Sequence, residues 1–365
     1  MGESLSEVFV VGYVPEIMST LLGFAHQRQT PDDRVRILPT GLIMEEKDRA
    51  SARCIVLRSF FLYIARAGWA RRLLMALPGR RRVSGRFVAG ETLEDAIQTT
   101  RELNQKGLLV TLDHLGENVS SEADAERAMQ AYLVLLDRIA GAGVSANVSL
   151  KLTQLGLDLG EAVCLANMRH ILTRAAEHRN FVRIDMEGSA YTERTLRIYR
   201  TLRDEHGFTN VGVVIQAYLF RSEQDVRELA AEGANVRLCK GAYKEPPSIA
   251  FPRKADVDAN FVRLTQMLLD APARAAGTYV GIATHDDRMI DAAKSFAAGQ
   301  GISKDRFEFQ MLYGVRGAAQ LQLVSEGYRM RVYVPYGTEW YPYFMRRLAE
   351  RPANVWFILK HLFRA

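Results

Sequence analysis

The chain has 365 residues, of which 48% are hydrophobic and 25% charged, so it can bury a large core and is unlike a disordered chain. Its net charge of +6 comes from mostly dispersed basic residues, and no apolar run reaches the roughly 18–20 residues of a membrane-spanning helix. The cysteines Cys54, Cys164 and Cys239 form no CxxC pair, which argues against disulfides and a thiolate metal site and indicates a reducing cytoplasm.

Residues 1–55 contain scattered turn residues and no regular alternation of strands and helices. We expect an N-terminal extension here, which is either disordered or lies upstream of the true translation start. Residues 56–85 follow with a basic amphipathic pattern that includes Leu57, Phe60, Ile64 and Trp69. This pattern predicts a helical arm, which either packs on the rest of the protein or, as the sharper alternative, lies on a membrane surface.

From residue 86 onwards, short β-branched runs alternate with longer stretches of helical periodicity. The runs span residues 108–113, 146–152, 181–185, 211–218, 236–240, 279–284, 307–312 and 331–334. Clear helical patterns cover residues 123–140, 161–177, 223–232 and 286–298. Ser222 and Asp225 resemble a capping box at the start of one helix, and Gly233 follows its end. Eight strand–helix units without a dividing linker predict one α/β domain over residues 86–365, a (β/α)8 TIM-type barrel preceded by the helical arm.

A barrel of this kind places its reactive groups at the carboxyl ends of the strands. The polar residues at or near these positions are Asp113, Glu117, Lys151, Thr153, Asp185, Glu187, Gln216, Arg237, Lys240, Thr284, His285, Gln310 and Tyr333. The set is rich in cations and amides but poor in metal ligands, so we predict no metal site. Taken alone, Lys151 and Asp185 are also compatible with a purely structural ion pair.

Two adjacent arginines, Arg346 and Arg347, follow an aromatic stretch just after the last predicted strand. An arginine pair on a helix is usually a solvated surface feature. In this position, however, two guanidinium groups can clamp a carboxylate through paired hydrogen bonds. A stretch at residues 141–146 imitates a dinucleotide-binding fingerprint, but it precedes a strand instead of following one and therefore fails that interpretation.

Eight segments together resemble the proline dehydrogenase family, in family order along the predicted barrel, over roughly residues 57–365. The segments are 148–153 (VSLKLT), 183–187 (RIDME), 214–218 (VIQAY), 236–243 (VRLCKGAY), 283–286 (ATHD), 307–314 (FEFQMLYG), 331–337 (RVYVPYG) and 344–348 (FMRRL). A single such motif is a weak signal, whereas the ordered series is specific.

This resemblance implies a flavoprotein of the single-function bacterial type that holds FAD noncovalently at the barrel mouth. It implies oxidation of L-proline to 1-pyrroline-5-carboxylate by hydride transfer from C5 to flavin N5, the first step of proline catabolism to glutamate. The electrons would pass to ubiquinone or menaquinone in the membrane. The implied location is the cytoplasm, with transient contact at the inner membrane surface and no nucleic-acid partner.

The resemblance also implies roles for individual residues. Asp185 and Arg237 would be catalytic, and Glu117 would be an acidic gate residue that pairs with a clamp arginine. Asp185 would also organise Lys151. The implied substrate-binding residues are Lys151, Arg346, Arg347, Tyr333, Leu312 and Tyr243. The implied cofactor-binding residues are Met186, Gln216, Arg237, Lys240, Gly241, Ala242, Thr284, His285 and Glu350.

Two other classes of protein fit parts of the sequence. A Schiff-base aldolase-type barrel could use Lys151 or Lys240 as its nucleophile, and borohydride trapping would reveal it. A basic adaptor for membranes or nucleic acid would show salt-sensitive binding and no flavin. The adaptor leaves the polar residues at the strand ends without a purpose.

Overall fold

A computed structural model of the chain describes residue 85, residues 87–116 and residues 119–350, with side chains described as far as Met345. Its centre is a closed barrel of eight parallel strands, each paired with the next in chain order, with β8 closing on β1. The strands are β1 (Leu109–His114), β2 (Ala146–Leu150), β3 (Val182–Ile184), β4 (Val211–Gln216), β5 (Asn235–Cys239), β6 (Tyr279–Ala283), β7 (Phe307–Leu312) and β8 (Arg329–Tyr336). The predicted (β/α)8 barrel is therefore confirmed.

One helix precedes β1, and the others follow the strands around the barrel. They are α1 (Leu93–Asn104), α2 (Glu122–Ala142), α3 (Glu161–Glu177), α4 (Ser189–Arg200), α5 (Ser222–Ala231), α6 (Lys254–Leu269), α7 (Ala271–Ala276), α8 (Asp287–Gly299), α9 (Gly317–Ser325) and α10 (Trp340–Glu350). The four helices predicted from periodicity are confirmed to within two residues at each end. The main apolar core lies between the strands and these helices, where Val148, Val182 and Val236 are fully buried.

The predicted capping box at α5 is wrong. The hydroxyl of Ser222 donates to the carbonyl oxygen of Leu219 at 2.7 Å, and the carboxylate of Asp225 is bound by Arg221. Both side chains are thus used by the turn that precedes the helix. The predicted end of α5 is confirmed, because Gly233 adopts a left-handed conformation with φ of +69°. A capping box does occur at α1, where Thr92 and Asp95 bind each other's backbone N–H.

Polar residues alternate with apolar ones along several strands. The buried polar residues include Ser149, Arg183, Arg237 and Glu308. Arg183 and Arg237 bind residues of strands that are not their neighbours, Asn235 in β5 and Ser149 in β2. Glu308 accepts a hydrogen bond from Gln310 of its own strand. The apolar partners in the alternation face the surrounding helices, as Val148 and Val236 do. The barrel interior therefore contains hydrogen-bonded polar side chains, which continue to the carboxyl ends of the strands.

Several predictions lie outside the described residues. These are the extension at residues 1–55, the basic helical arm at 56–85 except for residue 85, and the boundary drawn between them. Among the helices that the structure does describe, none is both long and apolar enough to cross a membrane.

Candidate active site at the barrel mouth

The carboxyl ends of the strands bring together five of the polar residues noted in the sequence. Asp113 lies near the end of β1, Lys151 directly after β2, and Asp185 directly after β3. Arg237 in β5 and Tyr333 in β8 point into the same space, since both bind Asp185. Because the strands are parallel and form a closed barrel, residues distant in sequence meet at this end.

Arg237 is held by acceptors from three parts of the barrel. Its Nη1 donates to Oδ1 of Asp185 at 2.6 Å, its Nε to Oε1 of Gln310 at 2.5 Å, and its Nη2 to Oγ of Ser149 at 3.0 Å. The guanidinium carbon also lies 5.3 Å from the centre of the Tyr333 ring. With its side chain only 7% exposed, the guanidinium group is fixed in one orientation as a buried positive charge.

The hydroxyl of Tyr333 lies between two carboxyl groups. It is 2.7 Å from Oδ2 of Asp113 and 2.7 Å from Oδ2 of Asp185. Burial and the two neighbouring carboxyl groups raise the pKa of Tyr333 well above its ordinary value, so the phenol stays protonated. Burial also raises the pKa of Asp113, despite the opposing effect of the Lys151 ammonium.

The structure pairs Lys151 with a different carboxyl group from the one expected. Nζ of Lys151 lies 3.6 Å from Oδ2 of Asp113, whereas Asp185 is engaged by Arg237 and Tyr333. The neighbouring strands β1 and β2 explain this, because their register sets Asp113 opposite Ser149, two residues before Lys151. The expectation that Asp185 organises Lys151 is therefore corrected to Asp113.

Lys240 occupies a second polar cluster, just after β5. Its ammonium contacts the carboxylate of Asp258 in α6, and it donates to Oδ2 of Asp286 at 2.8 Å. The hydrogen bond from Lys240 holds the pKa of Asp286 well below its usual range. An ammonium bound by two carboxylates is poorly suited to nucleophilic attack, which counts against the Schiff-base alternative at Lys240.

The loop after β6 is shaped by the residues predicted there. The hydroxyl of Thr284 accepts a hydrogen bond from the backbone N–H of Asp286 at 3.1 Å. Nε2 of His285 accepts one from the backbone N–H of Leu312 at 3.0 Å, which places the hydrogen of the neutral imidazole on Nδ1. Thr284 and His285 thus tie the end of β6 to its own loop and to the end of β7.

The amide of Gln216, at the end of β4, suits a planar cofactor with hydrogen-bonding edges. Gln216 is only 3% exposed, and its Oε1 accepts no hydrogen bond from any residue that the structure describes. A buried amide oxygen of this kind is normally satisfied, so it suits an N–H donor such as that of an isoalloxazine ring. Gly241 has φ of +109°, and a β-carbon there would collide with the ring of Tyr218.

The remaining predicted site residues are more exposed or lie outside the described part. Met186 is buried, Leu312 is half-buried, and Ala242 and Tyr243 are exposed at the start of the loop after β5. The side chains of Arg346, Arg347 and Glu350 in α10, and all of Glu117, lie outside the described residues. The start of α10 is well anchored, because buried Trp340 donates to Oε1 of Glu91 at 3.0 Å.

A charged layer below Arg237 was missed by sequence reasoning. Arg331 donates to both oxygens of Glu308, at 2.7 and 3.0 Å, and Glu308 accepts from Nε2 of Gln310 at 2.6 Å. This bond orients the Gln310 amide so that its oxygen faces Arg237. A β-carbon at Gly281 would collide with the same amide. The available signal was the polar and charged residues at alternate positions within β7 and β8, Glu308 and Gln310 in the first and Arg329 and Arg331 in the second.

A closed (β/α)8 barrel with a convergent set of charged and phenolic side chains at the carboxyl ends of its strands defines an enzyme-type TIM barrel. The family model described as proline dehydrogenase matches residues 96–360, a range that includes all eight strands. The chain belongs to the proline dehydrogenase family. The resemblance inferred from the sequence is thereby confirmed.

Relatives of similar length support the assignment. The chain is 44% identical over 306 residues to proline dehydrogenase 2 of Bacillus subtilis (strain 168), a match that covers 84% of this chain and 98% of that protein. It is 44% identical over 282 residues to proline dehydrogenase of Deinococcus radiodurans, covering 76% of this chain and 89% of that protein.

A solved structure supports the fold. The crystal structure of proline utilization A from Bdellovibrio bacteriovorus, inactivated by N-propargylglycine, matches with a TM-score of 0.68 and 28% identity. The match covers 74% of this chain and 32% of that much longer chain.

Proposed function

We propose that this chain oxidises L-proline to 1-pyrroline-5-carboxylate with FAD as its cofactor, the first step in the breakdown of proline to glutamate. The observation that carries this proposal is the family match across the whole barrel. The polar cluster of Arg237, Asp185 and Tyr333 supports it, because it lies where barrel enzymes carry out their chemistry. FAD, when bound, supplies the hydride acceptor at N5.

The substrate carboxylate would be held by cations from two sides of the mouth. Lys151 supplies one ammonium after β2, and Arg346 and Arg347 supply two guanidinium groups from α10. Tyr333, Leu312 and Tyr243 would pack against the pyrrolidine ring. A cationic pocket also lowers the pKa of the substrate amine, which must be neutral before C5 can release a hydride.

The proposed cofactor contacts come from the ends of four strands and from α10. They are Met186, Gln216, Arg237, Lys240, Gly241, Ala242, Thr284, His285 and Glu350. The unsatisfied oxygen of Gln216 supports this assignment. The buried charge of Arg237 would stabilise negative charge that develops on the ring during reduction.

Asp185 and Arg237 are the proposed catalytic pair, and Glu117 is the proposed gate at the pocket entrance. Asp185 orients Arg237 through the bond between Oδ1 and Nη1, and it receives the Tyr333 hydroxyl on its other oxygen. The pair thereby sets the position of one cation and one aromatic ring with respect to the substrate.

The electron acceptor that we propose is ubiquinone or menaquinone, reached from the cytoplasm during transient contact with the inner membrane surface. The basic amphipathic pattern at residues 56–85 supports this, because basic faces bind anionic lipid.

Flotation with vesicles that contain anionic lipid should recover the protein at low salt and release it at high salt. Equal recovery with neutral vesicles would contradict the electrostatic contact.

The enzymatic proposal is tested by proline-dependent reduction of a short-chain ubiquinone by the purified protein supplied with FAD.

Arg347→Met should raise the KM for L-proline at least about tenfold, because it removes half of the guanidinium clamp. The matched control is Arg127→Met, since Arg127 is 71% exposed on α2 and should leave the KM unchanged. An unchanged KM in the Arg347 variant would refute the clamp.

A further inference from the structure

Tyr333 contacts both Asp113 and Asp185 at the barrel mouth. One phenolic hydroxyl lies at hydrogen-bonding distance, 2.7 Å, from an oxygen of each carboxyl group. The phenol has a single hydrogen, which it can donate to one of the two oxygens. An ionised carboxylate only accepts hydrogen bonds, so two ionised carboxylates would leave the second short contact without a hydrogen.

We propose that Asp113 carries a proton in the resting enzyme. Its Oδ2–H donates to the oxygen of Tyr333, and the hydroxyl of Tyr333 donates in turn to Oδ2 of Asp185. The site then contains a neutral carboxylic acid at the end of β1 and an ionised carboxylate after β3, and both short contacts are ordinary hydrogen bonds.

The surroundings of the two carboxyl groups identify the protonated one. Asp185 accepts a hydrogen bond from the Arg237 guanidinium at 2.6 Å, which stabilises its ionised form. Asp113 is only 1% exposed, and its Oδ1 accepts no hydrogen bond from the described residues. The Lys151 ammonium stands 3.6 Å away, beyond hydrogen-bond length.

Several groups face Asp113 from the elements around it. They are Lys151 after β2, Asp185 after β3, Tyr333 and Tyr336 in β8, His114 in β1 and Tyr132 in α2. Burial, the largest effect, and Asp185 favour the protonated form of Asp113, whereas Lys151, the Tyr333 hydrogen bond and His114 favour the ionised form; the net effect raises its pKa. Burial lowers the pKa of His114, so this imidazole does not add a lasting positive charge.

A neutral Asp113 changes the charge that a ligand meets, a consequence that rests on the proposed carboxylate substrate. With Asp113 protonated, the carboxyl groups around Lys151 and Arg237 carry one negative charge fewer, so the site is more favourable to an anionic ligand. As the pH rises through the raised pKa of Asp113, the site gains a negative charge. Affinity for a carboxylate should therefore fall with rising pH.

The proton itself is tested by infrared spectroscopy of the flavin-loaded protein at neutral pH. The wild type minus Asp113→Asn difference spectrum should contain the C=O stretch of a protonated carboxyl group, which shifts in D2O and is lost on alkaline titration. Glu187→Gln is the matched control, because burial also raises the pKa of Glu187, which is bound by Thr153 instead of Tyr333. The control should retain the band.

A wild type without this band, or a band that survives Asp113→Asn or disappears in Glu187→Gln, would overturn the proposal. If Asp113→Asn does not fold, Tyr333→Phe serves instead, since removal of the phenol oxygen should shift the band of Asp113. An unshifted band would count against the shared proton. Because these readouts require no turnover, protein that oxidises proline but lacks the band would disprove only this inference.

The charge consequence is tested with cyclopentanecarboxylate, a ring carboxylate without an amine. Its inhibition constant against L-proline should rise at least about fivefold as the pH passes through the Asp113 transition, and Asp113→Asn should lack that transition. An inhibition constant that is independent of pH in the wild type would contradict the predicted charge change.

Discussion

At the scale of single residues, Arg237 shows how the barrel fixes a charge. Three acceptors bind its three donor nitrogens, and they come from β2, from the end of β3 and from β7. The acceptors match the planar fork of a guanidinium group, which a lysine ammonium, a single point charge on a flexible stem, cannot reproduce. The three hydrogen bonds that fix this charge therefore require the shape of the guanidinium group as well as its positive charge.

Arg237→Lys should lower kcat/KM for L-proline by roughly 10²-fold, because the ammonium leaves at least one of Gln310 and Ser149 without its donor and displaces the charge. Steady-state kinetics at saturating FAD would measure the effect. Arg263→Lys is the control, since Arg263 is 60% exposed and binds Glu223 on the surface. An Arg237 variant that behaves like this control would contradict the catalytic role.

At the scale of elements, the interior of the barrel is stabilised by charged layers between strands. Glu308 in β7 is only 3% exposed and binds Arg331 in β8 with both oxygens while it orients Gln310. Its pKa is lowered because the effect of Arg331 and the hydrogen bonds exceeds the effect of burial. The ion pair joins β7 to β8 below the site.

Glu308→Gln should reduce the free energy of unfolding by about 3–5 kcal/mol, because it leaves Arg331 buried without a counter-charge. Chemical denaturation followed by circular dichroism would measure the change. The control is Glu326→Gln, which breaks the partly exposed pair with Lys294 and should cost at most about 1 kcal/mol. Equal losses in the two variants would contradict the special role of the interior pair.

The cluster of Lys240, Asp258 and Asp286 should make stability depend on acid pH. The pKa of Asp286 is lower in the folded state than its ordinary value of 3.8, so its contribution is present above that value. This contribution is lost as the pH falls through the lower, folded-state pKa. Thermal unfolding of Asp286→Asn should therefore show a weaker decline below pH 3.8 than that of the wild type. Parallel declines would contradict the assignment.

The elements themselves were largely predictable from the sequence, whereas the partners of individual side chains were not. Runs of β-branched residues located all eight strands, and parallel topology placed Asp113, Lys151 and Asp185 at one end. The pairing of carboxyl groups and cations depends on how far each side chain reaches into the barrel, which the sequence does not give. Arg237 binds Asp185 from inside the barrel. The same limit hid the bond between Glu308 and Arg331, because alternation assigns a face of the strand but no partner.

At the scale of the whole molecule, the barrel, the family match and the composition of the mouth agree on one kind of chemistry. The family range at residues 96–360 includes every strand and the helix that carries Arg346 and Arg347. Within the described ranges, the mouth combines fixed cations, a buried phenol and an unsatisfied amide oxygen. Such a set favours binding an anionic substrate beside a planar cofactor over metal-assisted hydrolysis.

The most direct test of the central claim is the visible spectrum of the purified protein supplied with FAD, recorded without oxygen before and after addition of L-proline. We expect a yellow protein whose flavin absorbance is bleached by L-proline but not by D-proline at the same concentration. A protein that remains colourless after FAD is supplied, or a flavin spectrum that L-proline leaves unchanged, would contradict the account.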